Sequence, residues 1–171
     1  TYLGKDGFID FYTGTLKTAD VIVFAGAIKD RYLSSLWKTF FDRSFFNCHT
    51  PALTGKQIGF LISGPLSQVQ NLREILSAWT QFQQANLAGM ISEEYGDSPH
   101  IDRLLHNLAD TMIHCAVEHY IQPTDFLGVG GMKIFRDDVW GRLRIVFQAD
   151  HRAYKRLGIY DDFPQREIGR A

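Results

Sequence analysis

The chain has 171 residues, 45% of them hydrophobic and 13% aromatic, which is enough to bury a substantial core and makes one domain over residues 1–171 the default. A formal net charge of −1 argues against nucleic acid or an anionic membrane surface as the main partner, and no apolar stretch approaches the roughly 18 residues a bilayer span requires. Two cysteines, Cys48 and Cys115, are too few for a disulfide framework or a four-thiolate metal site, and are expected as small buried hydrophobes in a reducing cytoplasm.

In chain order, residues 8–17 read as a short helix with Phe8, Phe11, Tyr12 and Leu16 on one side. Residues 21–25 are a continuous apolar run, the signature of a strand covered on both faces. Residues 33–46 are helical, with Leu33, Leu36, Trp37, Phe40 and Phe41 recurring at three- and four-residue spacing. After a turn at Thr54-Gly55, residues 58–62 form a second buried strand ending at Ser63-Gly64-Pro65. A long amphipathic helix over residues 67–85 turns Val69, Leu72, Leu76 and Trp79 inward, and residues 87–92 form a third strand before Glu93-Glu94.

Asp97-Ser98-Pro99 starts the next helix, with Ser98 as its cap and Pro99 at its first position. Its inner face carries Ile101, Leu104, Leu105, Leu108, Met112 and Cys115. Residues 124–129 form a short strand closed by Gly130-Gly131. Residues 132–157 have helical periodicity through Val139, Leu143, Val146, Tyr154 and Leu157, with an extended conformation open for residues 144–148. Basic and aromatic residues mix in this tail, suiting either phosphate or subunit contact, or an amphipathic helix packed on the domain's side.

Strand and helix in alternation make a parallel sheet with helices on both faces, a doubly wound α/β fold in three layers. Three strands are few for such a sheet, and Val21-Ile22-Val23-Phe24 is too apolar for an edge. That strand demands a further neighbour which this sequence does not supply. Thr1 in place of an initiating Met fits a fragment or a processed product.

Ala19-Asp20-Val21-Ile22-Val23-Phe24, a loop, and then Ser34, Lys38, Asp42 and Arg43 in a Ser-x-x-x-Lys-x-x-x-Asp-Arg pattern resemble the third strand and following helix of NADPH-dependent FMN reductases, a group that includes iron–sulfur flavoproteins. Leu53-x-Gly55-Lys56, a strand and Ser63-Gly64 are similar to the next element of that family, as Asp6-Gly7-Phe8-Ile9-Asp10 is to the stretch before the third strand. The resemblance covers residues 5–92. It implies a flavodoxin-like fold with strand order 2-1-3-4-5 and the flavin at the carboxyl ends of the first and third strands. Residues 1–96 would then be the core holding family strands three to five, and residues 97–171 a helical C-terminal elaboration. The first two strands, the phosphate-binding loop and any cysteine motif for an iron–sulfur cluster would precede Thr1.

On that resemblance, Gly26, Ala27, Ile28, Lys29 and Asp30 border the isoalloxazine ring of FMN, and Ser63, Gly64 and Pro65 form the second ring-contacting loop. Gly26 and Ala27 would let the backbone approach closely, and the amides of Ile28 to Asp30 would donate. The family's aromatic is missing at Lys29, with Tyr32 as its candidate replacement and Lys29 or Arg31 as a cation near the ring or phosphate. The plainer reading of Lys29-Asp30-Arg31 is a solvated loop, and that of Gly64-Pro65 an ordinary turn. Lys38, Asp42 and Arg43 read as a surface ion-pair cluster. The histidines lack metal-ligand spacing and no G-x-S-x-G nucleophile turn occurs, so no metal site and no acid–base catalytic residue is expected.

The resemblance therefore implies a cytoplasmic FMN-dependent oxidoreductase domain passing electrons from NAD(P)H or an iron–sulfur partner to a small-molecule or protein acceptor. It also implies a homo-oligomer, with Trp37, Phe41, Phe45 and Phe46 available to line the interface. The alternative is a flavodoxin-like module that has lost cofactor binding and serves as a subunit-interaction domain.

Overall fold

A computed structural model describes residues 6–94 and 96–161 of the chain; the ends of the domain expected over residues 1–171 lie outside the described residues. A short helix, α1 (Phe8–Phe11), continues as a wider π-helical turn over Tyr12–Leu16. It buries Tyr12 and Leu16 but leaves Phe11 half exposed. The chain then enters β1 (Val21–Lys29), which folds back at Asp30-Arg31 into the two-residue strand β2 (Tyr32–Leu33). Helix α2 (Ser35–Ser44) follows, then β3 (Gln57–Ser63), α3 (Gln70–Phe82) and β4 (Asn86–Ser92). The remainder is helical: α4 (Ser98–Val117), α5 (Phe126–Trp140) and α6 (Gln148–Arg156).

The sheet order is β2-β1-β3-β4, with β1, β3 and β4 parallel and only β2 antiparallel. Parallel neighbours need a crossover, and α2 and α3 provide the two required here. The result is α/β with helices on both sides of the sheet, an arrangement compatible with a flavodoxin-like fold.

Residue alternation assigns the faces. Phe24 and Phe60 stack at 5.6 Å and meet Trp37 and Phe40 of α2 and Trp79 of α3, so this face holds the aromatic core. Gly59 points to the opposite face, where a Cβ would come within 2.9 Å of Met112 and 3.2 Å of Leu108; the missing side chain lets α4 lie close on the sheet. Leu53, Ile58, Phe60, Leu72 and Leu76 are fully buried at the centre.

Helix α4 lies mainly over β3 and β4. In consequence the second face of β1 is only partly covered: Ile22 is 5% exposed, whereas Val21 and Val23 are 37% and 50% exposed. Leu105, Ile113 and Val117 of α4 are exposed as well.

Several sequence expectations are corrected. β1 runs on through Gly26, Ala27, Ile28 and Lys29 instead of ending in a loop, because Ala27 pairs with Ser63 and Ile28 and Lys29 pair with β2. The cap of α4 is Asp97, whose side chain accepts the His100 backbone N–H at 2.8 Å, and not Ser98. Residues 124–129 are not a strand. Asp125 accepts the Leu127 N–H at 2.9 Å and starts α5, while Gly128 lets α5 press on α3: a Cβ there would lie 2.3 Å from Gln81 Oε1.

The tail is helical as its periodicity predicts, except that residues 141–147 form turns and Val146 and Leu157 face outward. Met132, Val139, Tyr154, Ile159 and Tyr160 make a second apolar cluster, flanked by Phe135, Trp140 and Phe147. The tail's aromatics thus pack on the side of the domain. Cys48 is exposed and Cys115 half-buried, against the expectation that both are buried.

Candidate functional site

The carboxyl ends of β1, β3 and β4 bring the two predicted segments together. In register, Gly26 lies beside Ile62 and Ala27 beside Ser63. Gly64 follows with φ +118°, a conformation that favours glycine, and a Cβ on it would stand 3.1 Å from that of Ile28. Gly26, Ala27, Ile28, Ser63 and Gly64 are therefore adjacent, and Pro65 is exposed at the loop's outer side. Lys29 and Asp30 are exposed at the hairpin tip, where Asp30 adopts φ 60° to make the two-residue turn. Lys29 is committed to pairing with Tyr32, so not all the amides from Ile28 to Asp30 are available as donors.

On the α4 side of these strand ends lies a cavity of about 530 Å³, lined by Ala25, Gly26, Leu61, Ile62, Ser63, Ile91, Glu93, Ile101 and Leu105. Among the described residues its wall is apolar but for two linked groups. The Ser63 hydroxyl donates to Glu93 Oε1 at 2.6 Å, and this bond holds the Glu93 carboxyl below the usual glutamate range. The adjoining loop is fixed by similar bonds: Ser92 Oγ donates to the Gly64 carbonyl at 2.7 Å, and the Glu94 carboxylate accepts from the Ser67 N–H at 2.9 Å and its hydroxyl at 2.6 Å.

Glu93 and Ser92 were not singled out in the sequence. Glu93-Glu94 directly after an apolar strand was the available signal, since each strand of a parallel sheet delivers its carboxyl end to the same crevice.

Two predicted contributors lie elsewhere. Tyr32 lines a different cavity, between α2 and α3. Trp37 is buried against Gly26, where a Cβ would fall 2.0 Å from its indole Nε1, so Trp37 is core and not an oligomer surface. Phe45 and Phe46 are 54% and 36% exposed.

Lys38 pairs with Asp42, but Arg43 turns away to Asp6 at 2.6 Å and covers the Phe8 ring at 4.2 Å. The predicted surface cluster is thus two separate pairs. The second one ties the segment before α1 to α2 and lowers the Asp6 pKa.

The edge of β1 completes the geometry. Gln57 N–H donates to the Asp20 carbonyl at 2.9 Å, which sets the parity: the amides of Ile22, Phe24 and Gly26 face β3, and those of Val21, Val23 and Ala25 face away from it. β2 pairs only with Ile28 and Lys29, so among the described residues the outward amides of Val21, Val23 and Ala25 have no strand partner. A shallower cavity of about 390 Å³ runs along this edge, past Val23, Phe24, Ala25, Gly26, Ser34, Leu36, Trp37 and Phe40.

Among the described residues no group of three or more His, Cys, Asp or Glu could hold a metal ion, and no helix is long and apolar enough to cross a membrane. No protein-family model matches the chain, and no curated protein matches it.

Proposed function

We propose that this chain forms the ring-facing wall of an FMN-binding oxidoreductase domain whose remaining strands lie outside these residues. One observation carries the reading: an apolar cavity at the carboxyl ends of a parallel sheet, next to an apolar strand whose outer edge is unpaired among the described residues. Ligands of open α/β sheets bind in that crevice, and about 530 Å³ falls within the usual range of ligand pockets.

The residues fit a flavin ring better than its phosphate. Gly26 and Ala27 offer backbone without bulk, and Leu61, Ile91, Ile101 and Leu105 offer an apolar wall. Glu93, ionised at neutral pH, is an acceptor for the imide N–H of the ring's pyrimidine edge. Ser63, which holds that carboxylate, orients it.

Bound FMN supplies the redox chemistry, and these residues position the ring and shield one face from water. No basic side chain lines the cavity among the described residues, so the phosphate is assigned to a loop preceding Thr1, together with the two strands that would pair with the edge of β1. The electron source is NAD(P)H or an iron–sulfur partner, and the acceptor a small molecule or a protein.

The test is the absorbance of the full-length protein after FMN addition and desalting. Retained flavin bands are expected, and none retained overturns the reading. The 171-residue chain alone is expected to bind FMN weakly or not at all, and micromolar or tighter binding by it contradicts the assignment of the phosphate site.

A second reading has its own support. Trp37 and Tyr32 both face away from the crevice, so no stacking aromatic lines it among the described residues, while Val21, Val23, Ile113 and Val117 are exposed. These features suit a flavodoxin-like module that has lost its cofactor and docks on another subunit. Gel filtration with FMN titration separates the two, since a monomer that binds FMN tightly excludes the interaction-only module.

A further inference from the structure

A second cavity, about 610 Å³, opens between α2 and α3 and shares no lining residue with the crevice at the strand ends. Five aromatic residues stand in its walls: Tyr32, Phe41, Phe45, Trp79 and Phe82. Phe41 and Trp79 meet edge to face at 5.2 Å, which presents two ring surfaces at a steep angle to any molecule between the helices. Among the described residues the lining has two charged side chains, Lys38 and Asp42, which pair with each other and leave no net charge there.

One polar group in this wall is incompletely satisfied. Gln83 is 8% exposed and lines the cavity. Its Oε1 accepts the Ala52 backbone N–H at 3.0 Å, which fixes the amide's orientation and leaves the Nε2 donors without a hydrogen-bond partner among the described residues. Those donors are open to solvent and not sealed in the core, so they are available to an acceptor that enters the cavity. The Tyr32 hydroxyl is a second polar group in the lining with no partner among the described residues.

We propose that this cavity binds a neutral, planar aromatic molecule carrying a carbonyl or ring-nitrogen acceptor, with its rings against Phe41 and Trp79 and its acceptor on Gln83 Nε2. Neutrality follows from the internally paired charges, planarity from the aromatic walls and the acceptor from Gln83. The site is independent of the flavin reading, and neither stands or falls with the other.

Coumarin, whose lactone carbonyl is the acceptor, and naphthalene, its isostere without one, serve as probes in an NMR titration of the protein. Coumarin is expected to shift the Trp79 indole and Gln83 side-chain amide resonances and to bind at least threefold more tightly than naphthalene. Gln83→Glu keeps an acceptor for Ala52 but removes the donor, and is expected to abolish that preference. Ile75→Trp, at a lining residue that is 42% exposed, fills the cavity from its solvent side with little risk to the fold and should weaken coumarin binding at least fivefold. Absent shifts, equal affinity for the two probes, or unchanged coumarin binding in Ile75→Trp would overturn the proposal.

Discussion

Gly26 is held to a hydrogen side chain by Trp37, whose indole occupies the space a Cβ would need. Trp37 is itself packed against Phe24, Phe41 and Phe60, so displacing it disturbs the aromatic core. Gly26→Ala is therefore expected to cost about 1–3 kcal/mol, the usual penalty for overpacking a filled core. A denaturant midpoint equal to that of the parent protein would show that the indole can move. Glu93 gives a second prediction at this scale. A carboxyl whose folded-state pKa is lowered stabilises the fold above its unfolded value, near 4.3 for glutamate, and loses that contribution as the pH falls through the lowered value. The Ser63 hydroxyl is the leading cause of the lowering, so Ser63→Ala should move the Glu93 titration upward toward the ordinary range and remove this part of the acid sensitivity. Superimposable carboxyl titrations by NMR in parent and variant would contradict the link.

Among the elements, the amino ends of β3 and β4 are tied to the chain after α4 by a polar relay. Asn86 Nδ2 donates to Gln57 Oε1 at 2.6 Å, Gln57 Nε2 donates to the Tyr120 carbonyl at 2.9 Å, and the Gln122 N–H donates to Asn86 Oδ1 at 2.9 Å. Gln57 and Asn86 are 0% and 3% exposed, so breaking the relay strands buried groups. Gln57→Leu is expected to destabilise by about 1–3 kcal/mol, the cost of an unsatisfied buried amide, and Asp97→Ala by about 1 kcal/mol through loss of the α4 cap. Thermal unfolding that ranks Asp97→Ala as the costlier change would reverse the assignment. The elements differed in how much of them could be seen in the sequence. The apolar runs at residues 21–25 and 58–62 mark β1 and β3 because period-free hydrophobicity needs only local composition. The end of β1 was not visible: Asp30-Arg31 lacks the usual Asn-Gly or Gly-containing turn signal, and Gly26-Ala27 looks like a loop when its partner Ser63 is not known. Residues 124–129 misled for a related reason. Gly128, with Gly130 and Gly131 just after it, argues against a helix by propensity, and what overrides this is contact with α3 at Gly128 together with the Asp125 cap. The crevice was legible as far as the strand ends, whereas the Ser63–Glu93 bond depends on side chains from two strands and had no single local signal.

At the scale of the whole molecule, the sheet's layers are unequally covered. The aromatic face of β1 is closed by α2 and α3, while its other face is only partly covered and one edge stands open among the described residues. Natural sheets protect edges with charge, proline or bulges, and Val21, Val23 and Ala25 offer none of these. The parity fixed by the Gln57–Asp20 bond turns this into a residue-level pattern. In the 171-residue chain, hydrogen exchange is expected to alternate along β1, fast at the outward amides of Val21, Val23 and Ala25 and slow at Ile22, Phe24 and Gly26, which face β3. In a longer protein that supplies the neighbouring strand, the outward amides should become as slow as the inward ones, and Val21 and Val23 should lose their exposure beneath the connecting helix. If Val23 and Ala25 exchange slowly in the 171-residue chain at concentrations where it is monomeric, the edge is already satisfied. The requirement for further strands, and with it the placement of the phosphate site upstream, would then fail. If protection of those amides grows instead with protein concentration, the edge is pairing with a second copy. Val23→Lys, which puts a charge on the open face while leaving the aromatic core untouched, should then restore fast exchange.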